Sequence, residues 1–181
     1  MSDAPRAGSR SPVIRVFDCH LARPAAGGGH EYLLLRRASH KIYAGSWRMV
    51  GGKLTSEETA WQACLREVGE ETQLPVQRLL AVPYVNRFYE WQQDRINDIP
   101  VFVVVTLPGS TPVLDDEHSE FAWLSLEDAL ARLPWPGQRE GLRAAASLLE
   151  EGGGVLQAFL EVPVEEPTDS DPATPKERVG R

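Results

Sequence analysis

The chain has 181 residues, 42% of them hydrophobic and 25% charged, with a formal net charge of -7. That balance suits one globular domain with a genuine core, and the acidity disfavours sequence-independent binding to nucleic acid polymers, which needs clustered Lys and Arg. No apolar run approaches the length of a membrane span, no signal-peptide core opens the chain, and Cys19 and Cys64 lack metal-ligand spacing. The two cysteines read as reduced, buried thiols, so the expected location is cytoplasmic.

Residues 1–11 (MSDAPRAGSRS) are small, polar and Pro-containing and are expected to be disordered. Residues 13–20 (VIRVFDCH) and 31–37 (EYLLLRR) read as strands, and the PAAGGGH loop between them predicts a hairpin. A short strand at 46–50 (SWRMV) runs into Gly51 and Gly52. Thr59 is a good helix N-cap and Gln62 completes a capping box, while Trp61, Leu65, Val68 and Thr72 recur at helical spacing. Strands follow around 79–90 and 99–107, where VFVVV is the continuous apolar run of a strand covered on both faces. A short strand at 121–124 leads to a helix capped by Ser125 with the stripe Leu126, Ala129, Leu130 and Leu133. PWPG breaks the chain, and a last helix over 138–151 ends at a run of glycines. Residues 152–181, rich in Gly and Pro and acidic, are expected to be a disordered tail. The sum predicts an α/β protein of the α+β type, a mixed sheet with helices on both faces, in one domain over 12–151.

Glu67, Glu70 and Glu71 fall at i, i+3 and i+4 of the first helix, on the face beside its apolar stripe. Like charges at the edge of a buried surface repel, and they are costly to desolvate unless a cation binds between them. Oxygen ligands alone select a hard ion, Mg²⁺ or Mn²⁺, and the absence of histidine from the helix argues against zinc. Such an ion also lets an acidic protein bind a phosphate-bearing small molecule.

This stretch resembles the signature of the Nudix hydrolases: Gly, five residues, Glu, seven residues, then Arg-Glu-aliphatic-x-Glu-Glu-x-Gly-aliphatic. Gly52, Glu58, Arg66, Glu67, Val68, Glu70, Glu71 and Leu74 fill their positions, and Gln73 stands where the pattern has Gly. The resemblance implies a Nudix-like α/β/α sandwich and a metal held by the Gly51 carbonyl, Glu70 and Glu71. Glu67 is then a further ligand or the group that orients the attacking water. Gly52 permits the sharp turn, and a Glu58–Arg66 salt bridge pins the loop to the helix. Gln73 is expected near the helix end, in a left-handed position that Gly adopts without steric cost.

Arg36 and Arg37, closing a strand, are candidate phosphate contacts. A further acid is expected from a distal loop, Glu117 in preference to Glu120. Trp47 and the aromatics between Tyr84 and Trp91, Tyr89 among them, either stack on a flat ring or belong to the core. LLLRR, SWRMVGG, DDEHSEFAWLSLEDAL and PWPGQREGL are together similar to the dihydroneopterin triphosphate and dATP pyrophosphohydrolase branch. The resemblance implies a small-molecule triphosphate substrate cleaved to a monophosphate and pyrophosphate, and it is compatible with a homodimer. Hydrolysis of a dinucleoside polyphosphate or another nucleoside diphosphate derivative is the alternative, since such relatives carry a Tyr near position 89. A binding module without turnover is the alternative of another class; such modules lack box carboxylates, and here none is missing.

Overall fold

A computed structural model describes residues 14–150 and 154–164. Along it run β1 (Asp18–Pro24), β2 (His30–Arg37), β3 (Trp47–Arg48), α1 (Ala60–Thr72), β4 (Arg78–Glu90), β5 (Arg95–Val105), β6 (His118–Leu124), α2 (Leu126–Arg132), α3 (Pro136–Glu150), α4 (Val155–Leu160) and β7 (Glu161–Val162). The strands form a seven-stranded mixed sheet in the order β3-β2-β1-β5-β4-β7, with β6 paired to β2.

Strand β5 sits at the centre, parallel to β1 and antiparallel to β4. Its VFVVV run sends Val101, Val103 and Val105 to one face and Phe102 and Val104 to the other, as double coverage requires. On the first face Leu142 and Ala145 of α3 and Ala129 and Leu133 near α2 complete the core; on the second, Ala63, Cys64 and Val68 of α1 do so. The result is the predicted sandwich of helices around a mixed sheet.

A split in the sheet positions the glycines. β6 lies along one edge of β2, from Tyr32 to Arg37. On the other edge β1 takes the first half of β2 and β3 takes Leu35 and Arg36. The chain leaving β3 then crosses onto β1, with Cys19 N–H donating to Val50 O at 2.8 Å and Phe17 N–H to Gly52 O at 3.3 Å. The segment carrying Gly51 and Gly52 is thereby wedged between two diverging strands.

Helix α1 starts where Thr59 predicts, its N–H donating to Gln62 Oε1 at 2.9 Å. It ends at Gln73, left-handed at φ 53° and ψ 21°, whose N–H donates to Gly69 O at 3.1 Å. Its buried residues are Ala63, Cys64, Val68, Glu71 and Thr72, while Trp61 and Leu65 are only partly covered. The dry face is therefore rotated from the predicted stripe, and the rotation carries Glu71 into it.

Several boundaries differ from expectation, among them β6, which begins at His118 rather than 121, and α3, which begins at Pro136 rather than 138. The first ladder covers Asp18–Pro24 rather than 13–20, because the described residues before it pair with the segment after the glycines, Val16 bridging Lys53, instead of with β2 or β5. β5 begins at Arg95, since the polar residues before Ile99 pair with β4 through backbone groups whatever their side chains. The expected disordered tail is corrected over 154–164, which holds α4 and β7. There Gln157, buried, donates to Leu148 O at 2.6 Å, Val162 pairs with Leu79, and Glu161 meets Arg78 at 2.9 Å. The lead-in at 1–11, Pro12, and the rest of the tail (152–153 and 165–181) lie outside the described residues.

Candidate active site

The three box carboxylates stand at very different depths. Glu71 is 5% exposed, the Glu67 side chain 17% and the Glu70 side chain 60%. Burial pushes the Glu71 carboxyl up to about 8, with the nearby Arg48 charge pulling the other way, and its Oε2 has no hydrogen-bond partner among the described residues. Glu67 lies against the glycine loop: a Cβ on Gly52 would come within 2.8 Å of Glu67 Cγ, so any side chain there would have to displace Glu67. A Cβ on Gly51 would likewise meet Phe17 O at 2.9 Å.

Arg66 offsets much of the repulsion among these acids. It donates to both oxygens of Glu58 at 2.9 and 3.1 Å, to Glu67 at 2.9 Å and to Glu70 at 3.0 Å. A further bond to Lys53 O at 3.3 Å ties the loop after the glycines to the helix. The Arg66 hydrogen bond, followed by that from Thr55 N–H, holds the Glu58 carboxyl down at about 2.

Across the opening, Glu117 takes Lys41 at 3.0 Å and Arg37 at 2.6 Å, and these partners, Lys41 foremost, hold its carboxyl at about 2. Asp115 orders the loop, its Oδ1 lying 3.1 Å from Glu117 N–H and 2.9 Å from His118 Nδ1. Glu67, Glu71, Arg37 and Glu117 line one cavity of about 1190 Å³, together with Gly51 and Gly52.

Other predicted residues stand elsewhere. Arg36 turns away from the cavity to Glu120 at 2.6 Å, because neighbours on a strand face opposite sides. Trp47 packs on the core beneath Arg132, whose guanidinium lies 5.0 Å from its ring, and Tyr89 turns out to Asp94 at 2.8 Å. Glu70 stays on Arg66 outside the cavity wall. In their place the structure brings in Arg48, Asp18, Asn86, Phe88 and Trp135. Asn86 Nδ2 donates to Asp18 Oδ2 at 3.0 Å inside the protein, and Trp135 meets Tyr43 edge-on at 5.3 Å. Arg48 stands beside Trp47, and strand alternation was the available signal that only one of the two could enter the core. Asp18 and Asn86 carry no local signal, since only the pairing of distant strands joins them.

Among the described residues no three acidic, His or Cys groups are already gathered at metal-binding spacing. The donor chemistry nevertheless fits a hard divalent ion. All candidates are oxygens, and Glu71 presents a buried, unpartnered carboxylate oxygen at the cavity wall.

A dry acid, an acid ion-paired to Arg37, and a glycine loop thus face one cavity. The NUDIX domain family matches residues 21–145, which include α1 and most of the sheet. The chain belongs to this family, whose hydrolases act on phosphoanhydride bonds. An octanoyltransferase of Myxococcus xanthus is 33% identical over 117 residues, 64% of this chain and 32% of the relative, so the match spans about a third of that protein's length. Among solved structures, the Ap4A hydrolase binary complex of C. elegans superimposes with a TM-score of 0.64 at 21% identity, covering 77% of this chain and 99% of that one. The dihydroneopterin triphosphate pyrophosphohydrolase of E. coli gives 0.56 at 22% identity, covering 75% and 98%. At these identities the two structures share the fold.

Proposed function

We propose that the chain is a metal-dependent pyrophosphohydrolase that splits a (deoxy)nucleoside triphosphate or dihydroneopterin triphosphate into the monophosphate and pyrophosphate. The observation that carries this reading is Glu71, an almost solvent-free carboxylate with one unpartnered oxygen, on the wall of a cavity of about 1190 Å³. The Gly51 carbonyl, Glu67 and Glu71 would hold Mg²⁺, or Mn²⁺ in its place, with Glu70 released from Arg66 to join them. A bound ion supplies neutralisation of phosphate oxygens and an acidified water.

The chain's own residues do the rest. Glu67, pressed on Gly52, orients the attacking water. Glu117, kept ionised by Lys41 and Arg37, accepts a hydrogen bond or proton from it. Arg37 in turn offsets charge on the transferred phosphoryl group. Glu58 and Arg66 hold the loop and helix in register. The catalytic unit is taken as 12–151, extended through β7. A cytoplasmic location accords with free, buried Cys19 and Cys64 and with the absence, among the described residues, of a helix long and apolar enough to cross a membrane.

The second reading, hydrolysis of a dinucleoside polyphosphate, is favoured by the fold likeness to the C. elegans Ap4A hydrolase. Tyr89, which prompted it in the sequence, lies outside the cavity. Incubation of the full chain with dATP, dihydroneopterin triphosphate and Ap4A in Mg²⁺, with the products separated by ion exchange, tests both. Pyrophosphate and monophosphate from either triphosphate are expected. Cleavage of Ap4A alone transfers the assignment to the second reading, and binding without any product overturns both.

A further inference from the structure

We propose that the inner end of the cavity reads the 2-amino-4-oxopyrimidine edge shared by guanine and pterins, with Asp18 accepting the ring N–H and the adjacent amino group. The inference rests on the cavity being the site of a nucleotide or pterin phosphate. Asp18 is 5% exposed and lies on the cavity wall, yet among the described residues it has no ion pair within 4.0 Å. Among the described residues its one side-chain partner is the amide of Asn86, which donates to Oδ2 at 3.0 Å, and Oδ1 has no donor there. Burial raises the Asp18 carboxyl above its ordinary range, with the Asn86 amide and the Arg48 charge pulling the other way; in its ionised form the carboxylate can only accept. Gln138, the third residue of α3, adds to the same cavity a buried Oε1 with no partner among the described residues. Gly137 fits here because a Cβ would lie 2.6 Å from Asn86 Cγ, so the start of α3 closes directly onto the Asp18–Asn86 pair.

Unpaired acceptors on a cavity wall are satisfied by water or by a ligand that brings donors. Adenine and cytosine present one amino group beside a bare ring nitrogen, and that nitrogen would face the carboxylate lone pairs. Guanine and the pterins present an N–H next to an amino group, which matches a carboxylate with two bonds. Their neighbouring ring carbonyl needs a donor. Arg48 faces this cavity with no side-chain hydrogen bond of its own among the described residues, and its charge acts on Asp18. The edge-on pair of Trp135 and Tyr43 supplies aromatic surface for a flat ring.

The test is equilibrium binding to the full chain in EDTA, followed by tryptophan fluorescence and by calorimetry. The probes are dGMP, dIMP, dAMP and dihydroneopterin monophosphate. dGMP or the pterin should bind about tenfold more tightly than dAMP and than dIMP, which lacks the amino group. The tighter of the first two names the source of the ligand. Asp18→Asn should bring dGMP to within about twofold of dIMP, and Gln138→Leu should weaken dGMP roughly threefold at unchanged Tm. Equal binding of dAMP and dGMP with no tighter pterin, or a folded Asp18→Asn chain that keeps the preference, overturns the inference. If Asp18→Asn fails to fold, Gln138→Leu and the ligand series decide. Because no turnover is read, a guanine or pterin preference in a chain that hydrolyses nothing leaves this inference standing and removes the pyrophosphohydrolase reading alone.

Discussion

Glu71 and Glu117 face one cavity, yet burial pushes the first up to about 8 while Lys41 and Arg37 hold the second at about 2. The two acids belong to the same residue type and differ only in what surrounds them. Glu71 is dry, and the like charges of Glu67 and Glu117 add to the cost of ionising it against the single opposing charge of Arg48. Glu117 is partly solvated and has two cations in direct contact. An acid left without a counterion is costly to ionise where it stands, whereas an acid already paired stays ionised across the ordinary pH range and is only weakly basic.

The largest effect should follow from removing the unpaired acid. Glu71→Gln is expected to lower turnover by on the order of a hundredfold or more and to abolish Mn²⁺ binding measured by calorimetry. The same variant should be more stable than the parent without metal at high pH. Glu71 has a folded value above its ordinary 4.5, so the stability of its protonated form is complete below about 4.5 and lost as pH rises through about 8. Gln keeps that neutral form at every pH. Thermal melts in EDTA should therefore coincide near pH 4.5 and separate in favour of Glu71→Gln at pH 8.5. A variant less stable than the parent at pH 8.5 would sink the burial account.

Glu117 has the opposite sign. Its folded value lies below its ordinary 4.5, so its contribution is present above 4.5 and lost as pH falls towards 2. Glu117→Gln should consequently lower Tm at pH 7 and matter least near pH 2. The stability differences of the two variants from the parent should thus change with pH in opposite directions. Parallel pH profiles would show that the two surroundings are not as distinct as the geometry makes them.

A smaller effect separates position from charge. Gly52→Ala would place a methyl group on Glu67, and Glu67 must move because its Cγ lies 2.8 Å from that Cβ. Activity should fall about tenfold with the carboxylates all present, a loss of placement alone. Unchanged kcat/KM in this variant would mean that Glu67 has no defined position to lose.

The contrast between acids was only partly legible in the amino-acid order. The acid cluster could be read because Glu67, Glu70 and Glu71 fall at i, i+3 and i+4 of one helix, and Thr59 and Ser125 announced two helix starts. Depth was not legible. The predicted stripe ran through Trp61 and Leu65, whereas packing chose the smaller Ala63 and Cys64, and that choice took Glu71 inside and left Glu70 out. Choosing between strand neighbours failed for a related reason. Arg37, Arg48 and Phe88 face the cavity beside Arg36, Trp47 and Tyr89, which do not, and the face is decided by register with distant strands. Asp18, Asn86 and Gln138 meet only through the β1–β5–β4 pairing and the docking of α3, contacts that no local pattern announces.

The departure at Gln73 offers the finest test, because it asks whether the helix ending affects the acids upstream. Gln73 occupies a left-handed conformation at φ 53°, the geometry that a glycine adopts freely and a side chain does not. Gln73→Gly should raise stability by about 1 kcal/mol, less the entropy that glycine adds to the unfolded chain. The Gln73 N–H already closes α1 on Gly69 O at 3.1 Å, so the ending keeps its bond in either case. The depths of Glu67 and Glu71 are set by Gly52 and the sheet rather than by this cap. Denaturant melts should therefore shift slightly while kcat/KM stays within about twofold of the parent. A change in kcat/KM larger than that would mean that the helix end helps to set the carboxylates, and Glu71 would then owe part of its burial to a strained residue two positions away.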